Sequence, residues 1–174
     1  MKLHDAIKVV RRFCSARSGV AAIEFAMLAP IFFGLMFMTA EFCIFFYKSS
    51  HLKYVLYEAS REIQTGEIQK AVSPSESFKV KYCTNANFMF DCDEIFFDVR
   101  KFDSLADIAF PDAQFDKDGH ATNFVFKPGG SEEITAMRVA TPFFFVTPMV
   151  QKYMQPNGDP VILVGYAVVK NEPY

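Results

Sequence analysis

A carboxylate inside an apolar run is the first chemistry this chain offers. In Arg17-Ser18-Gly19-Val20-Ala21-Ala22-Ile23-Glu24-Phe25-Ala26-Met27-Leu28-Ala29-Pro30, Glu24 stands among residues otherwise suited to lipid. An ionised acid in hydrocarbon is costly, so it either finds a cationic partner or snorkels to the boundary. Spacing alone leaves both open. The thiols offer a second chemistry. Cys14 lies in a basic head, Cys43 in the apolar run, and Cys83 and Cys92 form an isolated pair nine residues apart. In a translocated domain such a pair predicts a disulfide. A zinc site would need two further ligands, and no His lies near. A thioredoxin-like site wants its cysteines two residues apart.

No catalytic constellation accompanies them. His4, His51 and His120 are scattered, and no Ser/His/Asp or Cys/His set, phosphate loop or dinucleotide fingerprint is visible. Asp116-Lys117-Asp118-Gly119-His120 is a poor calcium loop: Gln114 is a weak first ligand and Val125 stands where the closing Glu belongs. An ordinary turn is the expectation. Nine acids between Asp91 and Asp118, against three bases, read as a solvated face. The chain is thus expected to be non-enzymatic, with no catalytic residue, no metal site and no cofactor.

Several elements must position Glu24. Phe25 to Tyr47 is a 23-residue apolar run broken only by Glu41. As helix it is about 35 Å long, enough for a hydrocarbon core of about 30 Å. Its uncharged part ends at Ala40, so Glu41 is expected near the far interface or facing another protein. Pro30 should bend or loosen the helix locally. Leu52, Leu56, Ala59 and Ile63 continue an apolar stripe at spacings of four, three and four, with Gly66 as the stop.

Beyond it, residues 67–76 read as a loop containing Ser73-Pro74-Ser75. Phe78, Val80 and Tyr82 alternate with Lys79 and Lys81, which predicts a strand. Ile95 to Phe102 predicts a second, with Phe97 and Val99 on one face against Asp98 and Arg100. Phe124-Val125-Phe126 predicts a short one, with turns at Asp118-Gly119 and Pro128-Gly129-Gly130. Ile134 to Val139 predicts another. Val161 to Val169, apolar on both faces, is expected at the centre of the sheet. Pro142 to Gln155 is a short helix or an aromatic loop. There Phe143-Phe144-Phe145 are either core or a partly exposed patch for a fellow subunit. The fold class is α+β: a long N-terminal helix followed by a small, mainly antiparallel sheet domain.

Charge sets the orientation. Residues 1–19 carry five bases against Asp5, a balance of +4, so a net charge of −2 leaves −6 for the rest. A basic head before an apolar run stays cytoplasmic, and the acidic remainder crosses. With no extended basic face, nucleic acid is not an expected partner.

Gly19, four small or apolar residues, Glu24 and the aromatic Phe25 together resemble the processing site of type IV pilin-like proteins. More narrowly they resemble the TadE-like pseudopilins of the tight-adherence (Tad/Flp) pilus systems. Ala21 to Ala26, Pro30 and the closing Lys170-Asn171-Glu172-Pro173-Tyr174 are similar to that family as well. One departure is Phe25, where the motif's aromatic is Tyr. The resemblance implies a pilin-like fold and a prepilin peptidase that cuts between Gly19 and Val20 on the cytoplasmic side. The exposed α-ammonium of a neighbouring subunit would then answer Glu24.

The same resemblance implies a minor pilin or pseudopilin needed for assembly of Flp-type pili used in surface adhesion. Its partners would be the peptidase, other pilin and pseudopilin subunits, the inner-membrane assembly platform and membrane lipid. The implied location is the bacterial inner membrane, single pass, with the N-terminus cytoplasmic and the C-terminal domain periplasmic, and incorporation into the pilus open. The chain then divides into a basic prepilin leader (1–19), the transmembrane half of the helix (20–47), its amphipathic continuation (48–66) and an exported β-rich domain (67–174) with a disulfide loop (83–92). The alternative is an uncleaved single-pass inner-membrane protein with a periplasmic binding domain, to which Glu24 would be indifferent.

Overall fold

A computed structural model of the chain describes residues 19–86, 89–116 and 120–174. The basic head up to Ser18, with His4 and Cys14, and the Asp118-Gly119 turn lie outside the described residues. The chain divides into two compact units, one up to Ala40 and the other Glu41–Tyr174.

The first element, α1 (Val20–Gln64), is a continuous helix that includes Pro30. Up to Ala40 its large apolar side chains are exposed, as a lipid-facing segment requires. Thr39 returns its hydroxyl to the Leu35 carbonyl at 2.8 Å, so its polar atom is satisfied within the helix. From Leu52 onward the helix is amphipathic. Leu52, Leu56, Ala59 and Ile63 are buried, on the stripe that the sequence predicts, and Val55 is buried beside them. Gly66 ends the helix in the left-handed region at φ 79°, its N–H donating to the Ile63 carbonyl.

The segment after Gly66 departs from expectation. Residues 67–76 hold a short helix, α2 (Glu67–Lys70), and the predicted strand around Phe78–Tyr82 is a helix, α3 (Pro74–Ala86). Phe78, Tyr82 and Ala86 recur every four residues and are all buried, whereas Val80 is 65% exposed. The period of two and the period of four both run through Phe78 and Tyr82. Ser73-Pro74-Ser75-Glu76, a capping-box pattern with Pro at the first helical position, is the signal that decides between them. The Tyr82 hydroxyl donates to the Leu52 carbonyl at 3.0 Å, which docks α3 on α1, and burial pushes its phenol pKa up. Lys81 reaches Glu62 on α1, and the contact raises the lysine pKa.

Cys83 and Cys92 form the expected disulfide, Cα to Cα 5.9 Å, tying the end of α3 to a single 3-10 turn at Cys92–Glu94. By the chain-entropy estimate a nine-residue closure stabilises by about 2–3 kcal/mol. Replacing both cysteines by Ser is therefore expected to lower unfolding free energy by that amount. A lower unfolding free energy extrapolated from urea denaturation would register it, with an m-value equal to or slightly above the parent's because the uncrosslinked unfolded chain is less compact.

The sheet has three antiparallel strands in the order β1 (Phe96–Phe102), β2 (Ile134–Phe143), β3 (Val161–Lys170). β2 is central and the Val161–Val169 run lies at an edge, contrary to expectation. The register Val99–Met137–Ala167 puts one face on α1. There a Cβ on Gly165 would stand 3.1 Å from Val139 Cγ1 and 3.6 Å from Lys53 Cα, so helix and strand approach closely. The other face of β3 is apolar but only half covered: Tyr166 meets the Phe110 ring yet stays 59% exposed. Two-sided apolarity was therefore no guide to a central position. Phe124–Phe126 is not a full strand. It makes a single parallel bridge, Phe126 to Val99, that covers the free edge of β1.

Asn171 ties the C-terminal segment into the domain, while Glu172, Pro173 and Tyr174 are exposed. Buried Asn171 donates to the Gly129 and Gly130 carbonyls at 2.7 and 2.8 Å, and the Glu172 N–H donates to Gln64 at the end of α1 at 2.8 Å. Glu133 accepts from the Gly130 N–H at 2.7 Å, and this bond, with Lys101, holds its carboxyl below the usual range.

Candidate functional site

The first two turns of α1 carry the sequence motif. Gly19 immediately precedes the helix, and a Cβ built on it meets nothing within 4 Å. Val20, Ile23 and Phe25 are exposed, and Glu24 projects from the same stretch. Among the described residues no group bonds or pairs with Glu24. Its carboxylate is one turn along from Val20, on a helix that is apolar on every side, so whatever neutralises it in lipid must come from elsewhere.

Glu41 differs. It does not stand free: its carboxylate accepts from the backbone N–H of Val146 and of Thr147, the latter at 3.1 Å to Oε2. These amides open a short helix, α4 (Pro148–Met154), with Thr147 at the cap position and Pro148 at the first turn. An anion beside orphaned N–H groups is stabilised by charge-assisted hydrogen bonds. Aromatic packing reinforces the join. Phe45 lies 5.3 Å from the Phe143 ring and 5.4 Å from Phe145, and Phe42 lies 5.6 Å from Phe145. The Phe145 N–H donates to buried Gln155, whose amide in turn donates to the Asp159 carbonyl.

Pro142 to Gln155 is thus a strand end, a turn and a short helix. Phe143 and Phe145 are core, while Phe144 is 55% exposed. The triplet splits between the two readings. Sequence reasoning gave Glu41 no partner within the chain, although Thr147-Pro148 is a helix-start signal that identifies free amides.

No other cluster among the described residues competes as a chemical site. Among the described residues no three His, Cys, Asp or Glu side chains converge as metal ligands. His51 stacks between Tyr47 and Phe90 at 6.2 and 6.1 Å. Asp116 accepts from the His120 N–H at 2.8 Å. Among the described acids of the predicted solvated face, Asp98 is the exception: it is fully buried between Arg100 and Arg138.

Residues 19–61 match the family model described as TadE-like protein, an interval that begins at Gly19 and covers Glu24, Phe25 and Glu41. The match supports a TadE-like protein of the tight-adherence pilus systems. Neither a curated protein nor a solved structure matches the chain. The single long apolar helix is consistent with single-pass anchoring in a membrane.

Proposed function

We propose that this TadE-like chain is a minor pilin: a non-enzymatic subunit cut by a prepilin peptidase between Gly19 and Val20, and used in assembly of a tight-adherence pilus. The basic head stays cytoplasmic in this reading, Val20–Tyr47 spans the inner membrane, and residues 67–174 lie in the periplasm. The observation that carries it is the contrast between two acids on one helix. Glu41 is satisfied by the chain's own amides, whereas Glu24 has no partner among the described residues. An acid left open in a lipid-facing helix suits a contact made between molecules. A cut after Gly19 creates the complementary cation, an α-ammonium one turn from Glu24. If the ammonium of one copy meets Glu24 of the next, the contact is head-to-tail and propagates as a filament, which a two-fold interface cannot do.

The mature chain is then expected to begin at Val20. Amino-terminal sequencing of protein recovered from native membranes tests this. A chain that still starts at Met1 removes the cation and leaves the alternative, an uncleaved single-pass protein with a periplasmic binding domain.

A further inference from the structure

We propose that the turn and helix at Phe144–Met154 form a second membrane contact, lying in the outer interface of the bilayer that α1 crosses. This rests on the membrane-spanning reading of α1. Along a helix the 17 residues from Glu24 to Glu41 rise about 26 Å. A hydrocarbon core is about 30 Å thick. With Glu24 at the inner boundary, Glu41 therefore stops just short of the outer one. Val146 and Thr147 are hydrogen-bonded to Glu41, so they share its depth.

The side chains fit that depth. Phe144, Val146, Met149 and Tyr153 are 55%, 83%, 60% and 75% exposed, an apolar surface that the described residues leave uncovered. Met149 and Tyr153 are four apart on α4 and share a face. Between Phe143 and Gly158 the only charged residue is Lys152, which is exposed and long enough to reach the headgroups. Tyr beside Lys on a short amphipathic segment is the composition of an interfacial element. The arrangement also explains Glu41: at that depth a lone carboxylate and two free amides would each be costly, and bonding them together satisfies all three.

The chain has no Trp, so single reporters can be introduced. The full chain would be reconstituted in vesicles of phosphatidylethanolamine and phosphatidylglycerol, with and without bromine on the acyl chains. Met149→Trp and, as a second reporter, Tyr153→Trp are each expected to lose at least half their fluorescence to brominated lipid. Met36→Trp, within the span, should be quenched at least as much, and Val72→Trp, fully exposed on the loop after α2, should be unaffected. Quenching at 36 without quenching at 149 or 153 overturns the proposal and leaves the span standing. Blue-shifted emission at 149 in that case assigns the patch to a protein neighbour. Absence of quenching at 36 overturns the span and this proposal together.

Discussion

Arg138→Ala is expected to destabilise the folded domain by about 3–5 kcal/mol, the cost of leaving one member of a buried ion pair uncompensated. Arg138 is 4% exposed and Asp98 is fully buried. The guanidinium donates to Asp98 Oδ2 at 2.7 Å and to the Pro111 carbonyl at 2.8 Å. Phe110 and Phe124 flank it, with its carbon 5.0 and 4.6 Å from their centroids. The other Asp98 oxygen accepts from Arg100 and from the Val125 N–H. One arginine therefore joins β2 to β1 and to both ends of the irregular segment 110–125. Its removal leaves Asp98 to the partly exposed Arg100 and two rings without a cation between them. Denaturant midpoints measure the loss, and limited proteolysis within 103–127 should accelerate with it. Asp98→Leu combined with Arg138→Met should cost much less than the sum of the single changes, because an apolar pair leaves no buried charge. A single Arg138→Ala cost below about 1 kcal/mol, the range of surface pairs, would contradict this account.

That pair also marks where the sequence stopped being informative. The stripe Leu52, Leu56, Ala59, Ile63 and the stop at Gly66 were legible, because a helix records its buried face in local spacing. The disulfide was legible for a similar reason: outside the basic head and the apolar run, Cys83 and Cys92 are the two thiols of the sequence. Asp98 was read as solvated because alternation within one strand says which residues share a face, not what covers that face. Its cover comes from Phe110 and Phe124, and its partner from β2, 40 residues on. Val161–Val169 failed as a central strand on the same ground, since half-covered apolar side chains look like buried ones in a sequence. Phe78–Tyr82 is ambiguous in local spacing because two periods coincide there, and the capping pattern Ser73–Glu76 is what separates helix from strand. The stretch Gly19 to Phe25 stands out in the sequence because it is a linear motif, and the family match begins at its first residue. The partners of Glu41, more than 100 residues distant, do not stand out.

Gly19→Phe is expected to leave the leader attached on all of the protein, and the structure makes this a clean experiment. A Cβ at residue 19 meets nothing within 4 Å, so a larger side chain disturbs no packing of the folded domain. Far-UV circular dichroism and the denaturant midpoint should match the parent. A failure of cleavage then reports on the fit of the residue into a peptidase, where glycine offers no side chain to exclude and a backbone free to adapt. Glu24→Ala separates the second step from the first. It too lies on an exposed stretch and should fold, but it removes the acid that a neighbour's α-ammonium would meet. Intact-mass measurement is expected to show Glu24→Ala chains beginning at Val20 and Gly19→Phe chains beginning at Met1. Piliation, read by electron microscopy and surface adhesion, should be lost in both. Because an ion pair needs both members, a Gly19→Ala, Glu24→Ala double variant, whose small residue at 19 permits cleavage, should still lack pili. Normal processing of Gly19→Phe, or full adhesion with Glu24→Ala, would show that the acid in the apolar helix answers to something other than a newly cut chain start.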